Sequence, residues 1–253
     1  MPTRVWSFGG GVQSAAIAVL VVEGKLPRPE IALMADTGME RSETWDYLRS
    51  AIQPFLDRVG LKVEIVPPRY AKVHLWRTGP SGYRKFLPPV FTDFSGAMGQ
   101  LPTLCSTEWK VRPVRRRLRE LGVKRCVQWL GISADEAHRA KDSDLRWITN
   151  EYPLLDLRVN RGDCVRMVEA AGLPTPPRSS CWMCPHSGNT RWLDLKRRYP
   201  EEFEKAVKVD ESLRSSGEGK FLHRSGRPLR EAVDMQGEQG DLFNGCDSGM
   251  CWT

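Results

Sequence analysis

Between residues 4 and 66 the sequence alternates short apolar segments with helical patterns, and this alternation limits the fold more than any other feature. Arg4–Ser7, Glu30–Ala35 and Lys62–Val66 are strand-like and show little polar alternation. Helical patterns over Val12–Glu23 and Ser42–Arg58 separate them. Apolar strands separated by helices are typical of a parallel sheet that helices cover on both faces. We therefore predict an α/β fold with a doubly wound parallel sheet.

The length of 253 residues suits one α/β domain with a small appended lobe. We predict a nucleotide-binding domain over 1–175, in which the Pro- and Gly-rich stretch 67–104 is a long loop or lid, and a Cys-containing C-terminal lobe and tail over 176–253. A net charge of +7 favours an anionic partner such as a nucleotide or a nucleic acid. The sequence shows neither a leader nor an apolar run of membrane-spanning length, so we expect a cytoplasmic protein with no membrane partner.

Three consecutive glycines, Gly9, Gly10 and Gly11, stand between the first strand and the first helix. Glycines let a backbone approach phosphate oxygens closely, and the helix that follows presents unpaired N–H groups to an anion. The stretch lacks the lysine of a Walker loop, and Ser14 occupies the third glycine position of a dinucleotide fingerprint. We interpret the stretch as another kind of phosphate-binding loop; the alternative is a tight turn that binds nothing.

The stretch SFGGGVQS over 7–14 resembles the PP-loop of the ATP pyrophosphatases, in the variant found in the PAPS reductase family. Three further segments resemble family motifs in the family's order: ADTGMERSET over 35–44, CSTEWKVRP over 105–113 and GISADEAHR over 131–139. Gln13 replaces the usual aspartate of the loop, and Ser133 stands where arginine is frequent. The resemblance implies an adenine nucleotide alpha hydrolase-like fold of the HUP type.

The resemblance also implies which residues bind ATP, or adenylyl sulfate (APS) or its 3′-phosphorylated form (PAPS), with Mg²⁺. The predicted nucleotide-binding residues are Ser7, Gly9, Gly10, Gly11, Gln13, Ser14, Asp36, Thr37 and Gly131. Asp36 also follows a strand end, where a ligand hydroxyl is commonly bound, although it could serve only to cap a turn. Lys110, the lysine of the KV motif, and Arg139 are the predicted catalytic contacts to anionic groups.

The seven cysteines point to metal or redox chemistry. Cys181 and Cys184 form a C-x2-C pair, which suits zinc, an iron-sulfur cluster or a dithiol couple. Further ligands could come from Cys105 and from the tail, which carries Cys246 and Cys251. The other two cysteines lie within an apolar strand and a helix, and we interpret them as core residues.

Iron-sulfur members of the resembled family hold a 4Fe-4S cluster with a CC pair before KVxP and a later CxxC. Cys105 matches the first cysteine of the CC pair, but Ser106 occupies the second position. The resemblance therefore implies that Cys105, Cys181 and Cys184 are ligands, with Cys246 or Cys251 completing the set or one iron left open. A zinc site built from the same residues is the alternative.

The segment Lys110–Arg119 is rich in arginine and has an apolar face. It predicts either an amphipathic helix with a solvated basic face or a surface that follows the phosphates of a nucleic acid.

The resemblance favours an ATP pyrophosphatase that adenylylates an acceptor, with tRNA or DNA as candidates, for iron-sulfur-dependent sulfur transfer. A sulfur donor protein such as a cysteine desulfurase would then be a partner. One alternative is an APS or PAPS reductase in which a tail cysteine attacks sulfate sulfur. The other is a nucleotide- or nucleic-acid-binding component with a structural zinc and no turnover.

Overall fold

The computed structural model describes residues 1–68, 75–78, 84–94, 96–215 and 219–238. The strands are β1 (Thr3–Ser7), β2 (Ile31–Ala35), β3 (Val63–Val66), β4 (Trp76–Thr78), β5 (Arg84–Phe86), β6 (Phe91–Phe94), β7 (Ala97–Gln100), β8 (Cys126–Leu130), β9 (Ile148–Glu151) and β10 (Lys220–Phe221). The α-helices are α1 (Val12–Val22), α2 (Ser42–Tyr47), α3 (Gln53–Asp57), α4 (Arg112–Glu120), α5 (Pro153–Asp156), α6 (Arg161–Ala170), α7 (Asn189–Arg198), α8 (Pro200–Ser215) and α9 (Leu229–Glu238). Short π-helical stretches, Leu48–Ile52 and Thr107–Val111, precede α3 and α4, and a 3-10 helix spans Ala134–Arg139.

The chain forms two compact units, and the first comprises residues 1–71 and 109–179. Its sheet has five strands in the order β3-β2-β1-β8-β9, and all neighbouring pairs are parallel. Helices pack on both faces of this sheet. The predicted doubly wound α/β fold is confirmed.

Successive residues of β1 enter different cores because side chains alternate across a strand. Trp6 packs with α1 and α6 in the larger core, whereas Val5 packs with Val114 and Leu118 of α4 in the smaller one. Helix α1 is buried along almost its whole length, which explains why its sequence is apolar on every side.

The strand order reverses direction at β1. The chain builds β2 and β3 on one side of β1 and then returns to place β8 and β9 on the other. In open α/β sheets, ligands bind at the carboxyl ends of the strands that flank such a switch point. The glycine stretch follows β1, and the segment that begins at Gly131 follows β8. These two segments therefore flank the switch point.

The second unit comprises residues 72–108 and 180–253. It contains an antiparallel three-stranded sheet in the order β10-β6-β7, the hairpin β4-β5 and the packed helices α7, α8 and α9. The boundaries differ from the predicted domains, since most of 67–104 groups with the C-terminal part of the chain. The stretch 67–104, predicted as a long loop or lid, contains the short strands β4, β5, β6 and β7. Gly96, with φ of 89°, makes the turn between β6 and β7.

A buried carboxylate organises the second unit. Asp210 of α8 is 0% exposed, and its Oδ1 accepts a hydrogen bond from the Leu222 amide at 2.9 Å. Its Oδ2 accepts from the Leu229 amide at 3.0 Å and pairs with Arg214 Nε at 3.1 Å. One side chain thus fixes both the end of β10 and the start of α9 to α8.

No helix in the described part of the chain is long and apolar enough to cross a membrane.

Candidate nucleotide and metal sites

The glycine stretch 7–14, called the glycine loop below, is held in shape by its own serines. Ser7 Oγ accepts a hydrogen bond from Gln128 Nε2 of β8 at 2.8 Å. The Gly9 amide donates to Ser14 Oγ at 2.8 Å, which closes the loop over the first turn of α1. Both serines are buried, so their hydroxyls serve the loop itself.

Gly10 is the position in the loop that only glycine fits. Its φ is 77°, in the left-handed region that other residues rarely adopt. A Cβ built on Gly10 would lie 2.7 Å from Thr44 Cγ2, 3.1 Å from Met34 Cε and 3.2 Å from Ser179 Cβ. The backbone of the loop is therefore packed directly onto its neighbours, and a second glycine, Gly11, has open space around it.

The first turn of α1 presents backbone amides at the switch point. Gly11 is the N-cap and has no side chain to accept hydrogen bonds, and no acidic residue lies in the first turn. The first amides of a helix have no acceptors within the helix and carry the positive end of its dipole. Gly131 approaches this turn so closely that a Cβ there would lie 3.3 Å from Ser14 N. The arrangement suits an anion.

A polar network joins the loop to the segment after β8. Gln13 Nε2 donates to Glu136 Oε2 at 3.3 Å, and Arg139 Nη1 donates to the same oxygen at 2.7 Å. Arg139 is only 8% exposed. Its buried Nε has no hydrogen-bond partner among the residues that the structure describes. A buried donor without an acceptor is costly, so the network leaves one N–H available for a ligand.

The predicted residues after β2 form a turn. The Gly38 amide donates to Asp36 Oδ1 at 2.7 Å, and the Met39 amide donates to Thr37 Oγ1 at 3.2 Å. Asp36 therefore does cap a turn, but only one of its carboxylate oxygens is used by the residues that the structure describes. Glu40 is buried close by, where it accepts from Ser179 Oγ at 2.7 Å.

Lys110 lies in the π-helical stretch that precedes α4 and is 7% exposed. The arginines that follow it face carboxylates. Arg115 is paired with Asp144, and Arg117 Nε lies 2.5 Å from Glu64 Oε1. These pairs favour the interpretation of α4 as a solvated basic face over that of a phosphate-following surface.

Cys105, Cys181 and Cys184 all belong to the second unit, and all three are half-buried. The Cys184 amide donates to the Cys181 carbonyl at 3.1 Å, so the C-x2-C pair forms a tight turn. His186, two residues beyond the pair, has its Nε2 3.2 Å from Thr103 Oγ1, and Thr103 precedes Cys105 by two residues. The segments that carry Cys105 and the C-x2-C pair therefore touch.

No group of three or more His, Cys, Asp or Glu side chains within the described ranges is arranged to hold a metal ion. The predicted ligands Cys246 and Cys251 lie outside the described residues. The donor chemistry still fits an iron-sulfur cluster or zinc, because three accessible thiols lie on segments of one unit.

The remaining cysteines are core residues, as we interpreted them. Cys126 is 2% exposed and Cys164 is 0% exposed. Burial raises the thiol pKa of both residues, and that of Cys164 reaches about 12. Burial in the core and a raised pKa both disfavour the thiolate that a metal ligand or a nucleophile requires.

Sequence reasoning missed the residues that support the loop. Gln128, Glu136, Glu40 and Ser179 lie far from the loop in sequence, and long-range contacts of this kind leave no local pattern. Glu40 and Glu136 each had one usable signal, because they lie within the ADTGMERSET and GISADEAHR segments that resemble family motifs.

No protein-family model matches the sequence. No curated protein matches it either. Among solved structures, the chain is similar to the U34-tRNA thiolase NcsA from Methanococcus maripaludis with its 4Fe-4S cluster. The two are 16% identical, the match covers 96% of this chain and 83% of that chain, and the TM-score is 0.44.

Proposed function

We propose that this protein is an ATP pyrophosphatase of the PAPS reductase type, which adenylylates an acceptor for sulfur transfer. The observation that carries the proposal is the glycine loop at the switch point of the parallel sheet. Gly10 is fixed there by a left-handed backbone and close packing, and uncapped amides of α1 follow it. Such a site binds phosphates through the backbone and needs no lysine in the loop.

In this proposal the loop amides and the N-terminus of α1 hold the phosphates of ATP. The buried Nε–H of Arg139 donates to a phosphate oxygen, while Glu136 fixes the guanidinium. Asp36 accepts from a ribose hydroxyl with the oxygen that the turn leaves unused. Lys110 contributes positive charge near the phosphates. An acceptor oxygen attacks the α-phosphorus, the bond to the β-phosphate oxygen breaks, and pyrophosphate leaves.

Gln13 gives the site a neutral side chain where the resembled family has a carboxylate. Its amide is held by Glu136 at 3.3 Å, so the carboxylate in this site belongs to Glu136. We propose that Glu136 orients both Gln13 and Arg139 and that Mg²⁺ accompanies the nucleotide.

For the second unit we propose that Cys105, Cys181 and Cys184 are cluster ligands, with Cys246 or Cys251 as candidates for a fourth. A bound 4Fe-4S cluster would supply the site's sulfur chemistry. The chain's own contribution is the tight C-x2-C turn and the contact of His186 with Thr103, which joins the two cysteine-bearing segments.

The nucleotide reaction is tested by incubating anaerobically purified protein with ATP and Mg²⁺ and separating the products. With no acceptor present, water attacks the α-phosphorus in its place, so AMP and pyrophosphate in equal amounts support the proposal. ADP and phosphate would refute it, because they require cleavage at the γ-phosphate. An Arg139→Lys variant, which keeps the charge and loses the Nε–H of the guanidinium, should release pyrophosphate at least about tenfold more slowly.

The metal is tested by iron, sulfide and zinc analysis of protein prepared without oxygen. We expect iron and sulfide, with their loss in Cys181→Ser and retention in the matched control Cys164→Ala. Zinc in place of iron, together with no nucleotide turnover, would instead support a binding component with a structural metal. Turnover of APS or PAPS without ATP cleavage would support a reductase.

A further inference from the structure

A cavity of about 600 Å³ opens at the amino ends of β1, β8 and β9, on the sheet edge opposite the glycine loop. We call it the amino-edge cavity. Its lining comes from the start of β1, from the turn between α4 and β8, and from Arg146, Trp147 and Thr149 near the start of β9. Because all of these segments belong to the first unit, the cavity is formed within one compact body.

Unpaired positive charge surrounds the amino-edge cavity. Lys124, Arg125 and Arg146 line it and are exposed, and the described residues that line it include no carboxylate. These three side chains make no ion pair or hydrogen bond with any residue that the structure describes. The nearby arginines of α4 behave differently, since Arg115 and Arg117 are paired with acidic residues. Three cations without a carboxylate partner among the described residues thus stand close together at this cavity.

A fourth cation, Arg119, is not part of the lining but stacks on Trp147, which is. The guanidinium of Arg119 stacks 3.7 Å from the ring centroid of Trp147, which lines the cavity. Arg119 Nη1 also donates to the Val123 carbonyl at 3.4 Å. A stacked guanidinium keeps its in-plane N–H groups available and is held in position at little entropic cost. Since Arg119 covers one face of Trp147, that face is closed to a nucleic-acid base.

We infer that the amino-edge cavity binds the phosphodiester backbone of a nucleic acid. The three lining cations come from two separate segments and stand on long, exposed side chains. Such an arrangement follows a chain of phosphates, whereas a site for one small anion surrounds it with buried donors. This inference identifies the acceptor of the proposed reaction as a nucleic acid. It rests on the proposed function for the role of the bound strand as that acceptor.

The position of the cavity suits an extended acceptor. Thr3 lines the cavity and Ser7 begins the glycine loop, and both lie on β1. Four residues of strand span about 13 Å at roughly 3.3 Å per residue. A nucleic acid, unlike a small metabolite, is long enough to contact the amino edge while another part of it reaches the carboxyl edge.

The test measures binding of fluorescein-labelled 20-nucleotide single-stranded RNA and DNA of one sequence by anisotropy, between 0.05 and 0.5 M salt. The variant carries Lys124→Gln, Arg125→Gln and Arg146→Gln. Each lost phosphate contact lowers the salt slope for a single strand by about 0.7, so three lower it by about 2. At 0.1 M salt the affinity should fall by about 100-fold. Binding of either oligonucleotide supports the inference, and their ratio identifies the preferred backbone.

The matched control carries Lys62→Gln, Lys141→Gln and Arg158→Gln, three exposed cations elsewhere in the first unit. It removes the same charge and should leave oligonucleotide affinity within about threefold. Equal weakening by both triple variants would mean that net charge alone attracts the strand and would overturn the inference. Absence of binding by the wild-type protein would do the same, as would displacement of the oligonucleotide by millimolar inorganic phosphate at constant ionic strength.

ATP affinity and thermal unfolding of all three proteins are measured in parallel. Both triple variants should retain the wild-type values, because none of the six residues lies in the glycine loop. If the wild-type protein does not bind ATP, the proposed function is contradicted, whereas the oligonucleotide result still stands. The two proposals therefore fail separately.

Discussion

Replacing Gly10 by alanine tests whether the glycine loop has the geometry that we assign to it. The new Cβ meets two separate obstacles. The backbone φ of 77° is unfavourable for any residue with a Cβ, and the Cβ would lie 2.7 Å from Thr44 Cγ2. Thr44 is 0% exposed and its hydroxyl is turned toward Glu40, so its methyl group has no free space into which to move.

The two obstacles can be separated by matched variants. Left-handed strain in a residue with a Cβ amounts to about 1–2 kcal/mol, and overpacking of a buried contact to about 1–3 kcal/mol. Gly10→Ala should therefore lower the free energy of unfolding by about 2–5 kcal/mol. Gly24→Ala, at φ of 72° with nothing within 4 Å of its Cβ, carries the strain alone and should lose about 1–2 kcal/mol. Gly11→Ala has neither obstacle and should keep its stability within about 0.5 kcal/mol.

The assay is urea denaturation followed by circular dichroism, together with ATP titration calorimetry on each folded variant. Gly10→Ala alters the phosphate-binding backbone and Gly11→Ala adds a methyl group at the site where the phosphates would approach, so both should weaken ATP binding, whereas Gly24→Ala should leave it unchanged. Equal unfolding free energies for Gly10→Ala and Gly24→Ala would show that the close contact with Thr44 does not exist. Unchanged ATP affinity in Gly10→Ala would contradict the placement of the nucleotide.

Three further predictions concern the second unit and the core thiols. Burial, reinforced by the charge of Arg224, lowers the pKa of His223 to about 4. Between about pH 6.5 and pH 4 the imidazole is therefore protonated in the unfolded chain but not in the folded one. The free energy of unfolding should fall by about 2 kcal/mol from pH 7 to pH 5. Urea midpoints measure this loss, and His223→Gln should remove it. Asp210→Ala leaves two buried backbone amides without an acceptor and should lower the free energy of unfolding by about 2–6 kcal/mol. Asp210→Asn keeps one acceptor oxygen and should lower it by less. Equal losses of the two variants in chemical denaturation would contradict this. Cys126 and Cys164 should resist iodoacetamide at pH 8 in native protein and react once urea is added, as peptide mass mapping will show, because burial raises their pKa.

The sheet of the first unit could be predicted because its signals are local. Strands β1, β2, β3 and β8 lie in mostly apolar runs of the sequence, which are typical of strands that helices cover on both faces. Strand β9, with the sequence ITNE, escaped prediction. It is an edge strand whose pattern is half polar, and it pairs only with β8.

The second unit could not be predicted in the same way. It is assembled from two distant stretches of the chain, and its strands are short and rich in polar residues. Gly96 makes the turn between β6 and β7, and glycine in a Pro- and Gly-rich stretch does not by itself distinguish a hairpin turn from a loop. Helix α9 lies in the stretch that we predicted to be a C-terminal lobe and tail, and its first residue, Leu229, donates a hydrogen bond to the distant Asp210.

The sequence pointed to the glycines of the candidate nucleotide site, but it did not point to the residues that hold those glycines in place. A motif identifies residues that touch one another along the chain, such as Gly9 and Ser14. The contacts of Gln13 with Glu136 and of Gly10 with Thr44 and Ser179 depend on the folded sheet. The free cations at the amino edge were missed for a similar reason, because α4 carried the more conspicuous basic pattern.

The central claim is that backbone amides of the glycine loop hold the phosphates of ATP. Amide chemical shifts in ¹⁵N-labelled, deuterated protein test it most directly during an ATP titration. We predict that the largest shifts fall on the amides of residues 10–14 and on Gly131, with saturation at one equivalent of ATP. Saturable ATP binding that leaves those amides unchanged and shifts others, such as those of residues 122–126 at the amino-edge cavity, would contradict the account.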